Sequence, residues 1–251
     1  MSQSIVIFLL FAVVQVVSSL AALLFSNLDK LGSGLPLEGL NTQPSTMGLC
    51  LLIGETIIGT GLWYYYHTET IYRRLIRANI SQDASTEAAN SADPSLKGAY
   101  LFPTIKRHLP EHPISWKRDT IYVLVTIGVA LLIGEILPYL GIDDSAEESL
   151  FKGMLSNPLC LVLLCIIGPW AEELTFRKGI VRGLYRYGLP GWASALIAAL
   201  AFALIHGNLA QGIPALIIGF LLGWLYLRTG NLKLCLTAHI INNVIAALLM
   251  I

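Results

Sequence analysis

The stretch WAEELTFRKGIVRGLY (residues 170–185) places the ionisable side chains Glu172, Glu173 and Arg177 at the end of the apolar run from Leu159 to Ile167. At the centre of a bilayer each charge costs about 2.5–3.5 kcal/mol, whereas a Leu, Ile or Val returns only about 0.3–0.6 kcal/mol. The seven Leu, Ile and Val residues of the run are therefore outweighed by the three charges. Such a segment is stable in a membrane only if its charges face other protein, each other or a water-filled cavity. An ionisable cluster of this kind marks a functional site.

The rest of the chain places that cluster in a membrane protein. With 55% hydrophobic residues, 13% charged residues and a mean hydropathy of +0.67, its 251 residues lie outside the range of soluble globular domains. The reading is an all-α, polytopic bundle of transmembrane helices. Formal net charge is zero, so nothing favours a nucleic-acid partner; the partners expected are the lipid bilayer and a membrane protein or peptide. Of the sixteen carboxylates, only Glu55, Glu135, Glu172 and Glu173 fall within apolar segments. His206 and His239 do so among five histidines, while His67, His108 and His112 lie in polar stretches. Cys50, Cys160, Cys165 and Cys235 sit in apolar segments without paired spacing, as packing residues rather than a disulfide or zinc framework.

About seven spans are expected. Ile5 to Phe25 is an uninterrupted apolar stretch lacking the basic region of a cleavable signal, and so reads as a retained helix. The second span, about 47–66, closes on the aromatic belt Trp63, Tyr64, Tyr65 and Tyr66. TIYRRLIRANI can extend that helix along the membrane surface, and SQDASTEAANSADPS has the composition of a disordered linker. A third span, about 120–140, precedes an acidic loop with Asp143, Asp144, Glu147 and Glu148. The others start near Pro158, Gly191, Ile213 and Leu234, with the fifth running to His206. Gly219 and Gly223 form a small-xxx-small face for close helix approach. Two regions are expected: 1–118, two spans with a polar cytoplasmic loop, and 119–251, a multi-span catalytic core. Eight basic residues in the 67–119 loop, against Lys30 and Lys152 in the flanking loops, put that loop in the cytoplasm.

Chemistry concentrates in three motifs on three apolar helices: Glu172-Glu173-x-x-x-Arg177, Phe202-x-x-x-His206 and His239-x-x-x-Asn243. A four-residue step is one helical turn, which pairs Glu173 with Arg177 and turns Glu172 about 100° away toward another neighbour. Glu173 with Arg177 reads as a structural pair, and Phe202 as core. At 1.5 Å per residue, Glu172 lies roughly 21 Å from the cytoplasmic end of its helix and His206 roughly 23 Å along the next helix from Gly191, so they can meet; His239, about 9–12 Å into its helix, needs tilt or an uneven helix start to join them. A desolvated carboxylate such as Glu172 can act as a general base toward water, a histidine can position that water or bind a metal, and the Asn243 amide can donate to an oxyanion. Asn242, on nearly the same face, is the natural alternative to Asn243. Glu55 and Glu135 belong to no motif and are expected to hydrogen-bond between helices.

EELTFR, FALIH and HIINN, in that order, resemble the motifs of the CAAX-processing and bacteriocin-processing (CPBP) intramembrane proteases, related to the type II CAAX endopeptidases. The resemblance covers about residues 158–251. It implies a membrane endopeptidase in which Glu172 and His206 activate water, His239 and Asn243 stabilise the oxyanion, and Glu173 and Arg177 are architectural. The family is often called metalloproteases, yet HExxH is absent. Glu172, His206 and His239 can supply three ligands to one divalent metal such as zinc, or act without metal; both remain open. The alternative function is a non-catalytic membrane regulator or bacteriocin self-immunity protein on the same fold. The expected location is a bacterial plasma membrane, as a multi-pass protein.

Overall fold

The computed structural model describes residues 2–28, 41–87, 109, 115–142 and 145–250. Among them there are eight helices and no strand: α1 Ser2–Ser26, α2 Pro44–Glu87, α3 Trp116–Ile136, α4 Ser145–Leu155, α5 Pro158–Arg186, α6 Gly191–Leu204, α7 Leu209–Thr229 and α8 Leu232–Met250. Six are long and apolar enough to cross a membrane, and α6 is a shorter apolar helix. Six of the about seven expected spans are thus present at full length, and the fifth, α6, is shorter than expected. At 1.5 Å per residue α6 is about 21 Å long, less than the roughly 30 Å hydrocarbon core. Val13, Val16 and Leu20 of α1 and Ile121, Leu124 and Leu132 of α3 are exposed. Apolar faces of that extent are lipid-facing surface, and the protein is a multi-pass integral membrane protein.

Helix α2 continues well beyond its apolar part because neither Gly nor Pro interrupts residues 62–87. The first part of the segment expected to be a linker is thus helical to Glu87; its remainder, 88–95, lies outside the described residues, as do Asp143 and Asp144. The acidic loop is also corrected in part. Glu147 and Glu148 belong to α4, whose Met154 packs against Cys160 and Leu163 and whose Glu148 pairs with Lys152 at 2.7 Å.

One buried cluster runs through both halves of the chain, from Ile7 and Phe11 of α1 and Leu62 of α2 to Phe176 and Val181 of α5, Phe202 of α6 and Leu222 of α7. The rings of Phe11, Phe176 and Phe202 step across it edge to face, with centroids 5.5 and 4.9 Å apart. Helices α6 and α7 meet across the small residues anticipated from the sequence. A Cβ on Gly219 would stand 3.1 Å from Phe202 Cδ1, and one on Gly223 would stand 3.3 Å from Ala195 Cβ. Phe202 is thereby fixed from two sides.

Candidate active site

Helix α5 carries the acidic motif and is not a regular α-helix. Two π-helical segments, Leu163–Ile167 and Glu173–Val181, interrupt it. Such segments add a residue to a turn and re-aim side chains, and they occur often at functional sites. Pro169 accounts for one consequence of the first. The Gly168 N–H bonds the Leu163 carbonyl five residues back; in that register Pro169 would bond Leu164, but it has no N–H. The Leu164 carbonyl is taken instead by Asn243 Nδ2 of α8, at 2.8 Å. Asn243 thus satisfies a backbone group that a membrane interior would leave costly and unpaired. Asn242 Nδ2 reaches Asn243 Oδ1 at 3.4 Å, so Asn242 acts on its neighbour rather than replacing it.

The second π segment holds the charges. Glu173 is fully buried, and its Oε2 lies 3.2 Å from Nε of Arg177, itself 1% exposed. The N–H is not aimed at the oxygen, so this is a charge contact rather than a hydrogen bond. The guanidinium also stands over the Phe202 ring, 5.2 Å from its centre. The other Glu173 oxygen does something that i,i+4 spacing does not show: Oε1 meets His239 Nδ1 of α8 at 2.9 Å. An ionised carboxylate only accepts, so His239 Nδ1 carries the proton and Nε2 is directed elsewhere. His239 Nε2 stands 3.5 Å from Glu172 Oε2. Arg177, Glu173, His239 and Glu172 therefore form one continuous polar chain across α5 and α8. Glu172, the least buried of the four at 18% side-chain exposure, forms its open end.

His206 is placed differently. Helix α6 stops at Leu204 and His206 lies in the following turn, whose Gly207 has a φ of +74°. The helix expected to run through His206 ends early because this left-handed turn lets Asn208 start α7; its side chain accepts from Gln211 N and donates to the His206 carbonyl. His206 Nδ1 donates to the Phe202 carbonyl at 2.8 Å, which leaves Nε2 for another partner. No hydrogen bond or ion pair joins His206 to Glu172. Both histidines instead stand edge-on to one ring, at 4.8 Å (His206) and 6.1 Å (His239) from the Phe202 centroid.

A metal fits this arrangement poorly. Glu172 and His239 have a spacing that two ligands of one ion can adopt, but among the described residues no group of three or more His, Cys, Asp or Glu can hold a metal. Glu55 behaves as an interhelical hydrogen bonder: it is buried, and Gln15 of α1 donates to it. Glu135 does not; it is exposed on α3 and bonds no described residue. Beside Asn243, α5 and α8 form an apolar groove of about 310 Å³, lined by Leu161, Cys165, Ile166, Ile240, Val244 and Leu248 among others.

A network that the three motifs do not include lies at the other end of α5. Glu69 of α2, 6% exposed, gathers Arg182 at 2.6 Å, Arg73 at 2.8 Å and Arg186 at 3.5 Å. The sequence carries a signal for it: Glu69 and Arg73 are four apart, and so are Arg182 and Arg186.

Comparison with known proteins bears on the same helices. No solved structure matches the chain at a significant level. A protein of Bacillus subtilis (strain 168) named "Putative membrane peptidase YdiL" is 27% identical over 120 residues, which are 48% of this chain and 49% of that protein. The chain thus matches about half the length of that curated relative. Residues 154–245 match the family model described as type II CAAX prenyl endopeptidase Rce1-like. The matched segment includes Glu172, His206, His239 and Asn243, and its three motifs lead one to expect that similarity.

Proposed function

We propose that the protein is a membrane-embedded endopeptidase that hydrolyses a peptide bond of a membrane-associated protein or peptide by activated water. The observation that carries this reading is the polar chain from Arg177 through Glu173 and His239 to Glu172, inside the segment that matches the Rce1-like family model. Glu172, at its open end, takes the proton of a water molecule as that water attacks the scissile carbonyl, and later gives it to the leaving amine. Glu173 keeps the proton of His239 on Nδ1, so that Nε2 faces Glu172 and the reacting water. Arg177 supplies the counter-charge to Glu173.

The oxyanion is met by donors that the backbone does not consume. Asn243 uses one amide hydrogen on Leu164 and has a second for the intermediate. His206, with Nδ1 committed to Phe202, offers Nε2 from the far side of that ring, as a donor when protonated. The apolar groove beside Asn243 suits a hydrophobic part of the substrate, consistent with the prenyl endopeptidases described by the matching family. No step requires a metal, for which the set provides two ligands in register rather than three. The test is the Glu172→Gln variant: it is expected to insert and fold as the wild type does while cleaving nothing. Undiminished cleavage of a wild-type substrate by that variant would remove the basis of the proposal.

A further inference from the structure

The network around Glu69 is more than a tie between α2 and α5. Arg73, Lys178, Arg182 and Arg186 all line one cavity of about 40 Å³, and Glu69 is the sole carboxylate among the described residues lining it. Four cations against one carboxylate leave a surplus of three positive charges in a half-buried place. Glu69 has two oxygens with which to answer three guanidinium groups, and it does so at 2.6–3.5 Å. Lys178 pairs with no carboxylate among the described residues and lies over the Tyr66 ring, 4.7 Å from its centre. Tyr66, 3% exposed, lines the same cavity and its buried hydroxyl has no hydrogen-bond partner among the described residues; the buried Nε of Arg186 is likewise unpaired. Buried donors without acceptors beside excess positive charge call for an anion with several oxygens.

Depth selects the source of that anion. The cavity begins at Tyr65 and Tyr66, in the aromatic belt Trp63–Tyr66 of α2, and extends to Arg73 about two turns further. Tyr and Trp gather at headgroup level, and basic pockets between transmembrane helices at that level take lipid headgroups. We infer that this cavity is a binding site for the phosphate of an anionic lipid headgroup, held by Lys178, Arg186 and the Tyr66 hydroxyl while Glu69 keeps the arginines in place. The site is separate from the polar chain of Glu172 and does not depend on the proposed activity.

The experiment uses the full-length protein in detergent, titrated with phosphatidylglycerol, phosphatidylcholine or inorganic phosphate and followed by native mass spectrometry and thermal unfolding. Phosphatidylglycerol is expected to give a bound adduct and a raised Tm at concentrations where phosphatidylcholine gives neither. Lys178→Gln, which breaks none of the ion pairs of Glu69, is expected to weaken phosphatidylglycerol binding about fivefold, the effect of one cation near a headgroup. Tyr66→Phe combined with it is expected to weaken binding further, with Tm in phosphatidylcholine unchanged. Equal binding of the two lipids by the wild type overturns the inference, whether or not the variants fold. So does wild-type affinity for phosphatidylglycerol in a folded Lys178→Gln variant. Inorganic phosphate that reproduces the full stabilisation overturns the lipid as the source.

Discussion

Replacing Glu173 by Gln removes one charge from the most buried point of the polar chain and little else. The new side chain has nearly the same volume, and its carbonyl oxygen can still accept from His239 Nδ1, now 2.9 Å away. What disappears is the counter-charge of Arg177, whose side chain is 1% exposed and whose Nε lies 3.2 Å from Glu173 Oε2. Breaking a buried pair from one side costs about 3–5 kcal/mol because the surviving charge stays buried and unpaired. For a chain of this length that corresponds to a fall in Tm of about 6–20 °C. Phe202, 5.2 Å from the guanidinium, softens the loss but is no substitute for a carboxylate. Arg177→Met alone strands the Glu173 carboxylate in the same way, whereas the double variant Glu173→Gln with Arg177→Met buries no charge. Thermal unfolding of the four proteins in one detergent measures the cycle. Both single variants are expected to lose stability and the double variant to regain at least half of the summed loss. Additive losses, or a Glu173→Gln variant within about 1 kcal/mol of the wild type, would refute the argument that this pair is held by mutual charge.

Three further outcomes follow from the geometry. Asn243→Ala strands the Leu164 carbonyl and is expected to cost about 1–3 kcal/mol in addition to any loss of activity. Pro169→Ala in that background supplies the missing N–H, and unfolding measurements should show part of the loss restored; no restoration would contradict the assigned origin of the free carbonyl. Gly219→Leu drives side-chain atoms into Phe202 and should cost about 1–3 kcal/mol, with a drop in cleavage because Phe202 seats both histidines. Wild-type stability and activity in that variant would show that α6 and α7 do not meet there. Because Glu172 and His239 lack a third ligand, 1,10-phenanthroline should leave cleavage unchanged; inhibition reversed by added zinc would show that a metal site assembles during turnover.

The chemistry of this chain is more legible in its residues than its geometry is. Charges in an apolar helix must find partners, and so Glu173 with Arg177 and the two embedded histidines stand out from the sequence alone. The partner of His239 does not, since Glu173 is 66 residues away and helical spacing speaks only of one helix at a time. The two π segments of α5 are invisible to a reading that applies a 3.6-residue period throughout; the pairing of Leu164 with Asn243 depends on the departure from it. His206 reads as part of a helix because the apolar run of α6 leads directly into it; the stop is carried by the two residues that follow, Gly207 with its positive φ and Asn208, which caps α7. In the loop after α3, Ser145-Ala-Glu-Glu148 before Leu150 and Phe151 has the pattern of a capped helix start, and its acidic content obscures it. The cationic cavity at Glu69 is hidden for another reason: basic residues at a helix end read first as an orientation signal.

The central claim is that Glu172 activates water for peptide hydrolysis, and it is tested most directly by comparing new protein N-termini in membranes of cells expressing the wild type or Glu172→Gln at matched levels. Among the described residues the Glu172 side chain makes one ion pair, at 3.5 Å, and it is partly exposed, so the substitution is expected to leave folding and insertion intact. Removing a general base lowers the rate by about 10²- to 10⁴-fold. A small set of membrane-protein fragments present with the wild type and absent with the variant is the predicted result, and those fragments identify the substrates. Identical fragment profiles, under conditions where the wild type produces a phenotype, would contradict the claim and leave a non-catalytic membrane regulator as the function of the fold.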